Sequence, residues 1–376
     1  QGQVDAGAAE YHRALTAAGA EKNRLVHWRM GKFRLERGDA ARALESMRQA
    51  LLILRFGQEQ IDENERAEMQ MDLGDIFMRL GMTEDGHRAF ERASVGTSEA
   101  TLVRLADLSF RYNLWQEAQA VLRRNVELHP VSDLAHWNLA HSLAESWNMQ
   151  EALEELAKAE AIAPQSGAKS MRASVAGRTG DADTALQLYK ALADEEGPGS
   201  KMHSSAAMSS LYSDKLSPRQ VSDLHRELFA HLGQNARSVS SFKNDKSPDR
   251  PLRVGLVSAD FHHQHPVNIF MQPVLRELDR SRFEVFVYFT GVSYDDQTRL
   301  AQQRVAHWVE VTTLNDAQLA KRIDADEIDV LLDLAGHTGQ TNRLSLFARH
   351  LAPVQINYLG YPNTTGLSAM HYRFTD

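Results

Sequence analysis

Residues 106–130 read ADLSFRYNLWQEAQAVLRRNVELHP, and residues 140–164 read AHSLAESWNMQEALEELAKAEAIAP. Set one above the other at an offset of 34, both open on alanine, carry a second alanine twelve places on and end on proline 24 places on. Outward from these two stretches, the twelve-residue pair of small side chains recurs. It stands at Gly31/Ala43, Gly74/Gly86, Ala106/Ala118, Ala140/Ala152 and Ala173/Ala185, and successive pairs are displaced by 43, 32, 34 and 33 residues. Seven places beyond each second member stand Ala50, Ala93, Asn125, Ala159 and Leu192. Two antiparallel helices approach closely only where side chains are small, so such a pattern describes helix pairs packed at fixed points. Pro130 and Pro164 stop helices, and Gly38, Gly81 and Gly180 fall at the turns inside a pair.

A 34-residue period with small residues at these offsets is that of a tetratricopeptide repeat. A generic amphipathic bundle also spaces apolar residues by three and four, but it does not repeat one internal 12-and-7 spacing in five registers. Phe77 and Phe90 take the larger apolar positions, while Asn125 and Leu192 break the small-residue rule. The 43-residue interval holds an extra polar stretch, Gly57 to Glu65, expected to lengthen a loop or helix. Residues 3–16, with Tyr11 and Ala14, read as the second helix of a repeat. The array is expected over 1–200. Stacked repeats form a superhelix whose groove holds extended peptides, so a binding role, with protein or peptide segments as partners, is expected of this half.

The chain has 376 residues, enough for more than one core, and a formal charge of -8, which argues against a general nucleic-acid binder. It has no cysteine, which excludes disulfides, thiolate zinc sites and a cysteine nucleophile and fits a reducing compartment. No apolar run approaches the roughly 20 residues of a membrane span. No membrane partner and a cytoplasmic location are therefore expected.

Residues 201–250 read as a helical transition followed by a linker. Ser217-Pro218 starts a helix, and 236–250 have the Ser/Asn/Asp/Pro composition of a loop. Residues 251–376 alternate strand and helix. Strands are expected at Arg253–Ser258, Phe283–Phe289, Ile328–Leu334 and Val354–Leu359, and helical segments near 267–278, 315–327 and 342–349. That alternation implies a Rossmann-like parallel sheet, with ligands bound beyond the carboxyl ends of the strands. Three clusters fall on that edge: Ser258 to Pro266, Ala335 to Gly339, and Gly360 to Gly366. No G-x-G-x-x-G or P-loop lysine follows the first strand, so a dinucleotide cofactor is not supported. His262, His263 and His265 invite a metal reading, but a metal site needs a matching ligand set, and they are read as loop histidines without an ion. Imidazole is the side chain best suited to accept a hydroxyl proton near neutral pH. His337 either meets substrate or organises its own loop.

These clusters carry a resemblance. Leu252 to Asp376 resembles the amino-terminal half of the catalytic region of the protein O-GlcNAc transferases and the SPINDLY-type protein O-fucosyltransferases. The matching stretches are Arg253 to Phe261 with His265-Pro266, Gly336-His337-Thr338, Ala352 to Gln355 running into Leu359 to Gly366, and Tyr372 to Asp376. The resemblance implies an inverting, metal-independent glycosyltransferase of the two-Rossmann-domain (GT-B) type. Such an enzyme moves a sugar from a nucleotide donor, UDP-GlcNAc or GDP-fucose, to Ser/Thr hydroxyls. His265 then matches the family's proposed base or donor contact, His337 and Thr338 a loop near donor and acceptor, and Gly360, Tyr361 and Pro362 the loop bordering the sugar. The run His262-His263-Gln264 is one residue longer than the family spacing. The Gly-His-Thr wording is closer to the SPINDLY-like branch, which leaves the sugar open between the two donors. The resemblance also implies a second Rossmann domain with a uridine pocket, a diphosphate-facing lysine and a His-Thr-Thr turn. The 376 residues are thus expected to be an incomplete enzyme needing a carboxy-terminal catalytic half. The competing expectation is a peptide-binding scaffold without catalysis.

Overall fold

The computed structural model describes residues 13, 16, 22–57, 60–164, 167–235, 242–263, 265–292, 294–339 and 342–375. Residues 3–12, 14 and 15 of the helix expected over 3–16, Gln58-Glu59 of the polar insertion, 236–241 of the linker, Gln264 and Asp376 lie outside them. The chain forms two compact units, Gln1–Met171 and Arg172–Asp376.

In the first unit the helices come in packed pairs: α1 (Arg24–Glu36) with α2 (Ala40–Phe56), α3 (Glu63–Arg79) with α4 (Thr83–Ala93), α5 (Glu99–Arg111) with α6 (Trp115–Leu128), and α7 (Asp133–Glu145) with α8 (Met149–Ile162). The small residues are the close points. A Cβ on Gly74 would lie 2.4 Å from the Phe90 ring, and one on Gly86 2.5 Å from the Met78 sulfur. Turns inside pairs use Gly38 and Gly81 at positive φ, and the Asn23 amide oxygen, aspartate carboxylates and serine hydroxyls cap several amino termini. The 43-residue interval is spent on helix, since both α2 and α3 run to 17 residues.

Asn125 has a measurable cost. It is fully buried where three of the four other registers carry alanine, and neither side-chain polar atom has a partner among the described residues. Removing an unsatisfied buried amide outweighs the small void left behind, so Asn125→Ala is expected to raise stability by about 1 kcal/mol in urea unfolding. A variant less stable than the parent would contradict this account.

The second unit begins with the rest of α9 (Ala168–Arg178), then α10 (Ala182–Glu196), α11 (Met202–Ser210) and α12 (Pro218–Phe229), the last opened by a Ser217/Gln220 capping box with Pro218 in its first turn. The sheet is β1 (Leu252–Ser258), β2 (Phe283–Phe289), β3 (His307–Glu310), β4 (Val330–Asp333), β5 (Val354–Asn357) and β6 (Tyr372–Arg373), with α13 (Pro266–Glu277), α14 (Asp296–Gln303), α15 (Asp316–Ala325) and the short α16 (Leu344–Phe347) between them. All neighbours pair in parallel, in the order β3-β2-β1-β4-β5-β6. This is the doubly wound arrangement, with its switch point between β1 and β4.

The pleat sorts side chains between two cores. Leu256, Val285, Val287 and Phe289 pack with Val267, Met271 and Leu275 of α13. Val257, Phe286, Tyr288 and Leu331 pack on the other face, with Ala206 and Ala207 of α11 and Leu228 and Phe229 of α12. The segment read as a transition therefore forms one layer of the α/β core. Two strands and one helix were not foreseen, namely β3, β6 and α14. Among the described residues no helix is long and apolar enough to cross a membrane.

Candidate functional site at the switch point

The loops after β1, β4 and β5 rise from the carboxyl edge of the sheet, as the parallel topology requires. After β1, Phe261 is fully buried and roots the loop, and the Asp260 amide donates to Ser258 Oγ at 3.0 Å. Asp295, at the start of α14, accepts from the His263 amide at 2.5 Å. That backbone bond, with those from Thr298 and Gln297, holds the Asp295 carboxyl down at about 2, so the clamp stays ionised. His265 sits at the N-cap position of α13 without making a capping bond. Its side chain is 34 % exposed, with Nε2 3.8 Å from Asp260 Oδ1, and its Nδ1 is buried with no partner among the described residues. The three histidines do not act as one group. His263 is exposed, and the third member beside His262 and His265 is Asp260.

After β4, Asp333 closes an apolar strand and is 2 % exposed. Its Oδ1 accepts from the amides of Ala335 and Gly336, both at 3.0 Å, and Oδ2 has no partner among the described residues. Burial pushes this carboxyl upward, and the charge of Asp260 adds to the push. Sequence reasoning placed Asp260 in the first edge cluster without giving it a role, and it missed Asp333. The available signal was an aspartate ending each apolar run.

His337 is buried and fully engaged. Its Nε2 lies 3.0 Å from the Thr365 carbonyl and Nδ1 3.3 Å from Ser204 Oγ of α11. Thr338 Oγ1 turns back to donate to the Ala335 carbonyl at 2.6 Å. After β5, Tyr361 is buried, and burial raises its phenol, which donates to His225 Nε2 at 2.5 Å. His225 Nδ1 in turn lies 2.7 Å from the Val221 carbonyl of α12. Gly360 packs against Leu334, and the Pro362 carbonyl accepts from Arg373. His337 and Tyr361 thus lock two loops to helices α11 and α12. A cleft of about 790 Å³ within this unit is walled by Tyr189, Met202, Ser205, Tyr212, His337 and Thr338, among others. His265 is not part of that wall.

Burial, with the neighbouring His225 ring, lowers the His337 pKa from 6.5 to about 3. Between these values the unfolded chain binds a proton that the folded chain does not. The stability is therefore complete above pH 6.5 and is lost as pH falls toward 3, by about 1.4 kcal/mol per pH unit. Burial lowers His225 in the same direction. Urea unfolding at pH 7 and pH 5 is expected to show a loss of about 2 kcal/mol from His337, and His337→Asn is expected to flatten that slope. An equal slope in the variant would place the acid sensitivity elsewhere.

The class is now defined: a doubly wound α/β unit with titratable loops at its switch point, preceded by helical repeats. Residues 206–376 match the model of glycosyl transferase family 41, so the resemblance read from the four matching stretches holds for that segment. The match begins in α11, ahead of Leu252, which agrees with α11 and α12 sharing the sheet's core. The chain is 35 % identical over 169 residues to the probable UDP-N-acetylglucosamine–peptide N-acetylglucosaminyltransferase SPINDLY of Hordeum vulgare, covering 44 % of this chain and 18 % of that protein. It is 36 % identical over 129 residues to the UDP-N-acetylglucosamine–peptide N-acetylglucosaminyltransferase of Caenorhabditis elegans, covering 33 % of this chain and 11 % of that protein. The chain thus spans under a fifth of the length of these relatives. Among solved structures, a mutant Thermobaculum terrenum O-GlcNAc transferase is 26 % identical with a TM-score of 0.49, over 84 % of this chain and 54 % of that one.

Proposed function

We propose that this chain is part of a protein O-glycosyltransferase that moves GlcNAc from UDP-GlcNAc to Ser/Thr hydroxyls, with the repeats binding the acceptor chain. The observation that carries the reading is the placing of His265, half-exposed, at the switch point of a segment that matches glycosyl transferase family 41. The relatives' printed activities supply the donor and the acceptor class.

In this mechanism His265 takes the proton of the acceptor hydroxyl as its oxygen bonds to the anomeric carbon. The bond from that carbon to the diphosphate breaks, and the nucleoside diphosphate leaves with its electron pair. Nε2 faces the acceptor, because Nδ1 is buried. The Asp260 carboxylate, 3.8 Å away, stabilises the imidazolium that forms. Gly360, Tyr361 and Pro362 border the sugar, and His337 and Thr338 shape the floor through their backbone. Nothing in this scheme calls for a resident metal.

The test is transfer by the whole protein to a Ser/Thr peptide, offered UDP-GlcNAc or GDP-fucose and read as the mass added. A GlcNAc increment supports the reading. A fucose increment overturns the donor, and no increment with either overturns the enzyme in favour of a peptide-binding scaffold.

A further inference from the structure

The loop after β1 brings together three metal-type ligands that the proposed reaction does not require as a set. One ligand atom each from Asp260, His262 and His265 lies within 4.8 Å of the others, and the two imidazole centroids are 5.1 Å apart. Zinc takes nitrogen and oxygen ligands at about 2.0–2.2 Å, which puts neighbouring ligands of a tetrahedron a little over 3 Å apart. The 3.8 Å from His265 Nε2 to Asp260 Oδ1 needs only a small contraction to reach that spacing.

The donor chemistry is selective. Two imidazoles and one carboxylate suit zinc, cobalt, nickel or copper, whereas magnesium and calcium prefer oxygen. Three protein ligands leave a fourth position open to water. His262 Nδ1 lies 3.2 Å from the His263 carbonyl, which places the ring proton there and leaves the Nε2 lone pair for an ion. Pre-organisation is the second argument. Buried Phe261, the Ser258–Asp260 bond and the Asp295 clamp on His263 hold one side of the loop, and Pro266 opens α13 on the other.

We propose that Asp260, His262 and His265 form a binding site for one divalent transition-metal ion of the zinc type. Binding rests on the geometry alone. Its consequence rests on the transferase reading: an ion that takes the His265 lone pair removes the acceptor base, so metal occupancy and transfer exclude one another.

The test titrates cobalt(II) into this chain, follows the d–d absorption of a tetrahedral site, and then displaces the ion with zinc. One equivalent is expected to bind. His262→Ala is expected to weaken binding by roughly 100-fold, while His263→Ala, one residue along and outside the trio, leaves it unchanged. His262 is only partly buried, and circular dichroism of each variant verifies folding. Binding by the parent no tighter than by His262→Ala, or equal losses in the two variants, overturns the site. This result uses no turnover assay, so it stands apart from any failure of the transferase reading. In the whole protein, zinc is expected to inhibit transfer by the parent and to spare His262→Ala at the same concentration. Equal inhibition of both overturns the exclusion.

Discussion

Gly360→Ala is expected to destabilise the second unit by about 3 kcal/mol, a fall of roughly 6–12 °C in its melting temperature. A Cβ at this position would lie 2.0 Å from the Leu334 carbonyl oxygen, 2.9 Å from the carbonyl carbon and 3.0 Å from Ala335 Cα. All three are backbone atoms, so no side chain can turn aside to make room. Leu334 is itself tied by its amide to the Val257 carbonyl at 3.2 Å, which prevents β4 from yielding without disturbing β1. The strain must then pass into the turn at Gly336 and His337 or into Tyr361, the two loops on which the proposed sugar site rests. Gly339→Ala is the control. It adds a Cβ at φ +71 with nothing within 4 Å, so its cost is backbone strain alone, about 1 kcal/mol. Equal melting of the two variants would falsify the claim that close approach at Gly360 governs this loop.

The repeat array was legible because its constraint is local in sequence. Gly74 and Phe90, or Gly86 and Met78, meet across one helical pair at fixed spacing, so the contact leaves a periodic mark. Strands β1, β2 and β4 announced themselves as apolar runs buried between two layers. Strand β3 did not, since His307-Trp308-Val309-Glu310 is an edge strand with polar ends and only partial burial. Helix α14 hides only Thr298 and Ala301, too small a stripe to show a helical period.

The edge of the sheet that carries the candidate site follows from parallel topology, and so the three loops were placed from sequence. The roles of their side chains depend on partners far along the chain. His337 meets Ser204 across 133 residues and Tyr361 meets His225 across 136, and no spacing rule reaches such pairs. For the same reason the histidine run gave no hint that His263 would stand aside while Asp260 joined His262 and His265.

His265→Ala in the whole protein is expected to lower transfer by about 10²–10⁴-fold, the usual contribution of a positioned general base. The loss should fall on kcat more than on KM, because in the proposed mechanism the proton moves only as the acceptor oxygen attacks. Donor affinity should hold, since the proton acceptor touches the hydroxyl and not the nucleotide. Stability should hold too: the side chain makes no capping bond, is 34 % exposed, and its ionic neighbour Asp260 stands 3.8 Å away. Asp260→Asn separates the two parts of the argument. It leaves the imidazole in place but removes the charge that stabilises its protonated form, so a smaller fall, nearer tenfold, is expected. The pH profile is the readout that a merely structural role would not move. Transfer by the parent should depend on pH, and the residual activity of His265→Ala should lose that dependence. Unchanged turnover in His265→Ala removes this residue from the chemistry. A loss matched by a fall in melting temperature would make it a packing residue, and the base would then have to be sought elsewhere on the β1 and β4 loops.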